Sequence, residues 1–211
     1  MKAKTRTAFV CSECGESTGK WQGQCPSCGQ WNTLTEFVVQ TPATTTARGA
    51  RSGYAGSAGA ATVTRLADVK HDHDSRQSTG ISELNRVLGG GLVEGSVVLI
   101  GGDPGIGKST LLLQAVAAMQ QTMPGVYVTG EESLGQVSAR AQRLGLKLDD
   151  LRCLTETSIE RIVPQLIQEK PRLVVIDSIQ TMYSEQLPAA PGSVSQVRES
   201  AAKLVRFAKE T

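Results

Sequence analysis

Four of the chain's cysteines stand as two pairs, Cys11-x2-Cys14 and Cys25-x2-Cys28, with ten residues between the pairs. Each pair offers two thiolates to one tetrahedral ion, and zinc is the ion expected for such a four-sulfur shell. The shell is closed, with no open coordination position, so the expected role is structural. Rubredoxin-type iron fits the same spacing, and two disulfides or a redox pair are the alternatives. Gly15 and Gly29 follow the pairs, where a tight knuckle needs positive φ.

A second constellation begins at Gly102. Gly102-x4-Gly107-Lys108-Ser109 matches the phosphate-binding loop pattern residue for residue. Glycines let the loop Gly102, Asp103, Pro104, Gly105, Ile106 and Gly107 wrap a phosphate with its N–H groups. Lys108 would reach the β and γ phosphates of ATP, Ser109 would hold Mg²⁺, and Thr110 follows in the first helical turn. Two acidic positions complete the set. Asp177 ends the apolar run LVVID, where a carboxylate holds Mg²⁺ through water. Glu131 in GEE is positioned to orient an attacking water, with Glu132 as its rival; the pair could instead cap the helix that follows Ser133.

These residues need elements to hold them. SVVLI (96–100) reads as a buried strand leading into the loop, and TLLLQAVAAM as the helix after it. YVT and LVVID read as strands, residues 151–155 as another, and 133–144 and 158–169 as helices. Alternation of this kind predicts a parallel sheet with its ligand at the carboxyl ends of the strands. Ahead of it, residues 1–40 form a small metal module, in which Trp21 and Trp31, the only tryptophans, are expected to build a mini-core, base stacking being the other reading. Residues 41–77 read as a linker: 18 of the 22 residues from 41 to 62 are Thr, Ala, Gly or Ser, too little apolar surface for a core. HDHD (71–74) reads as a solvated connector, and Cys153 as core packing. Residues 78–211 then form the second domain. Its last helix is expected to bury a stripe of Val194, Val197, Ala201, Leu204 and Ala208.

Composition sets the outer limits. A net charge of +2 does not announce a nucleic-acid partner, and no run approaches the roughly 18 apolar residues of a membrane span. With no apolar leader ahead of the cysteines, a reducing, cytoplasmic setting is expected.

The segments CSECG…KWQGQCPSCGQWNTL, STGISELNRVLGGGLVEGSVVLIGGDPGIGKSTLLLQ, YVTGEES and VVIDSIQTM together closely resemble the RadA (Sms) family of bacterial DNA repair proteins. The resemblance implies a rubredoxin-like zinc ribbon before a RecA-like P-loop ATPase. It implies a homo-hexameric motor, acting on single-stranded DNA and branched recombination intermediates, with a recombinase or replicative helicase as partner. The family continues into further strands and another domain, so the sheet here is expected to be incomplete and turnover by these residues alone to be impaired. The loop 178–192 and Arg198 fall where RecA-like proteins place a DNA-facing loop. Two rival readings are a clock-protein-like ATPase switch and a zinc-ribbon interaction module with regulatory nucleotide binding.

Overall fold

The structure, a computed structural model, describes residues 6–39, 65–68 and 76–211. The linker run 41–62 and HDHD lie outside the described residues. Two compact units form. One holds the cysteine ribbon with Thr157–Arg161 and Ile179–Lys203; the other holds 76–156, Ile162–Ser178 and Leu204–Thr211.

The ribbon is a three-stranded antiparallel sheet, β1 (Arg6–Cys11), β2 (Ser17–Thr18) and β3 (Leu34–Val39), in the order β2-β1-β3. Its interior is Cys11, Cys25 and Leu34, with Phe9 and Cys14 packed against them. The expected tryptophan mini-core is not there: Trp21 is 59% and Trp31 68% exposed. The sulfur cluster and two strand residues already fill a space this small, so the indoles remain outside, near Gly23.

The second unit is built on a three-stranded parallel sheet, with β4 (Gly125–Thr129) between β5 (Arg152–Thr155) and β6 (Leu173–Asp177). Every residue of β4 is buried, as a central parallel strand requires. α2 (Lys108–Met119) packs on β4 and β6, and α3 (Leu134–Arg143) on β5. The remaining helices are α1 (Ser82–Val87), α4 (Ile159–Glu169), which begins in the first unit, and α5 (Val194–Glu210), most of which belongs to the first unit. The core joins Leu113 and Val116 of α2, Val137 and Ala141 of α3, and Tyr127 and Val175 of the sheet, with Cys153 packed against it. Burial pushes the Cys153 thiol pKa up, consistent with a packing residue.

Two expectations fail. Residues 96–100 make no strand pairing among the described residues, and Val97, Val98 and Leu99 are 51%, 45% and 83% exposed. A β-branched apolar run signals strand propensity, but a strand exists only beside a partner, and the described sheet ends at β6. In α5 the fully buried residues are polar, Gln196 and Ser200, while Val194 is 55% exposed and the rest of the expected stripe is half-buried. Gln196 turns inward because a neighbouring loop offers it hydrogen-bonding backbone: its amide accepts from Ser184 N–H at 2.8 Å and donates to the carbonyls of Ser184, Leu187 and Ala189 at 3.1, 2.9 and 3.0 Å.

Candidate functional site

In the ribbon the four sulfurs lie within 4.8 Å of one another, with Cys11–Cys28 at 3.7 Å and Cys14–Cys25 at 3.5 Å. Four sulfurs about 2.3 Å from one zinc ion stand about 3.8 Å apart, so the donor set fits that ion. Gly15 and Gly29 take φ of 75° and 72°, and their N–H groups close the knuckles on the carbonyls of Cys11 and Cys25 at 2.9 Å. Burial raises the Cys11 thiol pKa, but the Thr33 hydroxyl and the N–H groups of Cys14 and Glu13 outweigh it and bring it to about 6. At Cys28 the Gln30 N–H lowers the pKa, yet desolvation and three neighbouring sulfurs carry it up to about 12. Several thiolates this close repel, and a divalent cation is the group that lets all of them ionise.

In the parallel sheet the pairing Thr129↔Asp177 brings the ends of β4 and β6 level, so GEE and Asp177 emerge at the same end. α2 begins there too. Gly107 is its N-cap at φ 101°, a conformation glycine adopts without strain, and Gly105 has φ 80°. Lys108 Nζ donates to the carbonyls of Gly102 and Asp103, both at 2.8 Å, so the lysine lies across its own loop. Asp103 O also accepts from Ile106 N–H at 3.3 Å, and Gly102 to Ile106, including Pro104, are exposed. Thr110 is half-buried in the first turn of α2.

Ser109 Oγ donates to Asp177 Oδ1 at 3.1 Å, across 68 residues of sequence. A serine hydroxyl beside a carboxylate at a helix N-terminus under a glycine loop is the oxygen donor set a hard cation with a polyphosphate takes. The two glutamates separate. Glu131 is exposed and accepts from Ser178 Oγ at 2.7 Å, whereas Glu132 is half-buried and paired with Arg140. Neither caps α3: Ser133 and Gln136 form that cap as a reciprocal box, Gln136 N–H to Ser133 Oγ at 3.3 Å and Ser133 N–H to Gln136 Oε1 at 2.8 Å.

Sequence reasoning missed Tyr127. Its ring is fully buried in β4, and its hydroxyl donates to Asp177 Oδ2. Burial first, and then the adjacent carboxylate, push the phenol pKa well above its ordinary value, so it is a donor throughout the working pH range. A tyrosine in an apolar strand carries no motif; its role becomes visible only when β4 is set beside β6. Arg198 is exposed on α5.

Residues 77–169 match the ATPase family described as KaiC, and residues 9–36 match the rubredoxin metal binding domain. The chain is 55% identical to DNA repair protein RadA of Pseudomonas aeruginosa and 53% to that of Escherichia coli, each over 99% of this chain and 45% of the relative. DNA repair protein RadA of Bacillus subtilis is 46% identical over 98% of this chain and 45% of its own length. The chain therefore spans about half the length of the curated relatives it matches. No helix among the described residues is long and apolar enough to cross a membrane. The chain is thus similar over nearly its whole length to proteins named DNA repair protein RadA, with residues 9–36 similar to a rubredoxin metal binding domain and residues 77–169 to a KaiC-type ATPase.

Proposed function

We propose that the chain is the nucleotide-binding part of a DNA-dependent ATPase of recombinational repair, which works on single-stranded DNA to move branched intermediates. The observation that carries the ATPase reading is the 3.1 Å contact of Ser109 with Asp177 at the mouth of the glycine loop, where α2 begins. Loop N–H groups and Lys108 hold the β and γ phosphates of ATP, Lys108 leaving the carbonyls of Gly102 and Asp103 to do so. Ser109 and Asp177 hold Mg²⁺, which offsets phosphate charge. Glu131 orients the attacking water. Its exposure and its hydrogen bond from the Ser178 hydroxyl favour it over Glu132, which Arg140 engages. In this reading the ribbon binds Zn²⁺ and serves as a docking unit, the whole protein is a cytoplasmic homo-hexamer, and a recombinase or replicative helicase is its partner. The DNA role rests on the name of the relatives, DNA repair protein RadA, and on their matching 99% of this chain.

The test is phosphate release by the whole protein with and without single-stranded DNA. Stimulation is expected, and Glu131→Gln should keep ATP binding while turnover falls roughly 10²-fold or more. Unchanged turnover would move the role to Glu132. A second reading, a clock-protein-like switch, draws on the KaiC match. It is favoured if turnover ignores DNA and the protein transfers phosphate to a side chain instead.

A further inference from the structure

Tyr127 pairs with Val175 across the β4–β6 ladder, and Asp177 lies two residues further along β6. Because side chains alternate with a period of two, Val175 and Asp177 share the face on which Tyr127 stands. A phenol is long enough to reach along that diagonal. Its ring sits among Leu113, Val116, Val137 and Val175, so its direction is fixed by packing, and its hydroxyl meets Asp177 Oδ2. The other oxygen, Oδ1, accepts from Ser109. Both carboxylate oxygens are therefore held, one by the buried sheet and one by the first turn of the helix that follows the phosphate loop.

We infer that Tyr127 is a positioning residue for the metal site: its hydroxyl sets the rotation of the Asp177 carboxylate and leaves Oδ1 directed at Ser109, where the divalent cation of a nucleotide complex would bind. This rests on the ATPase reading above. When the cation arrives, Ser109 can give up its bond to Oδ1 and turn its oxygen toward the ion, while the Tyr127 bond persists. The carboxylate is thus oriented before the ligand enters, and little ordering is left to occur on binding. A phenylalanine would fill the same space and leave the carboxylate free to rotate.

The experiment measures Mn²⁺ binding, by electron paramagnetic resonance, to the 211-residue chain with ADP, in the wild type, Tyr127→Phe, Asp177→Asn and the double variant. Metal-free ADP affinity is measured alongside. Tyr127→Phe should weaken Mn²⁺ binding about tenfold, the scale of one hydrogen bond to a charged group, and leave metal-free ADP affinity unchanged. In the Asp177→Asn background the same change should have little effect. Equal Mn²⁺ affinity in wild type and Tyr127→Phe overturns the inference and leaves the ATPase reading standing. Failure of the wild type to bind the Mn²⁺–ADP pair overturns both. Parallel loss of metal-free ADP affinity would mark the residue as merely structural and also overturns it. A further check does not depend on the variant's folding: proton NMR of the wild type should show a slowly exchanging Tyr127 hydroxyl proton, and its absence counts against the inference.

Discussion

Gln196 offers the sharpest test of how the chain shapes the loop that leaves β6. Its side chain is 1% exposed and makes four hydrogen bonds, all to the backbone between residues 184 and 189. Gln196→Met keeps the length of the side chain and removes the amide's donors and acceptor. The Ser184 N–H and carbonyl bonds are buried, so these two groups lose partners with no water to replace them; the Leu187 and Ala189 carbonyls are only partly buried and can turn outward. At about 1–3 kcal/mol for each buried group left unpaired, the loop loses roughly 3 kcal/mol of local stability. Hydrogen exchange at the Ser184 amide, read by NMR, should then quicken about a hundredfold, with much smaller changes in β4, whose bonds do not involve the loop. Proteolysis between residues 184 and 189 should rise in step. If Ser184 exchanged within about threefold of wild type, the side chain would not be what holds the loop, and the reasoning from its four bonds would fail.

The same unit carries a pH-sensitive contact. Burial alone would raise the Glu160 pKa, but the Lys203 ammonium at 2.7 Å, the Glu185 N–H and the Ser184 hydroxyl outweigh it and bring it down to about 2. A folded-state pKa below the unfolded value of about 4.3 means that this stabilisation is complete above that value and lost as pH falls toward 2. Thermal melts should therefore drop across that window less steeply in Glu160→Gln than in wild type, and identical slopes would refute the assignment. In the ribbon, Trp31→Ala should keep one zinc per chain and change stability by only about 0.5 kcal/mol, because the indole is 68% exposed, whereas Cys28→Ser should lose the metal. Zinc loss in Trp31→Ala, read by atomic absorption, would restore a core role for that ring.

The contiguous features of the protein were legible in the sequence. Paired cysteines with their glycines, the glycine loop with Lys108 and Ser109, and the apolar periods of β4, β5, β6, α2, α3 and α4 all depend on spacing along the chain, and bond geometry converts such spacing into local shape. Propensity went no further than that. Residues 96–100 have the composition of a strand, yet pairing is a property of two segments and none of the described strands lies beside them. Trp21 and Trp31 look like core residues by type, but the sulfur cluster with Leu34 and Phe9 occupies the small interior. Gln196 looks like a surface residue by type and is buried because backbone from another segment meets its amide. Tyr127 and Asp177 are 50 residues apart in sequence, and Ser109 and Asp177 are 68. What joins them is the parallel register of β4 and β6 and the seating of α2 on that sheet. Hydrogen bonds act over about 3 Å, so which distant residues share one is decided only when the sheet closes.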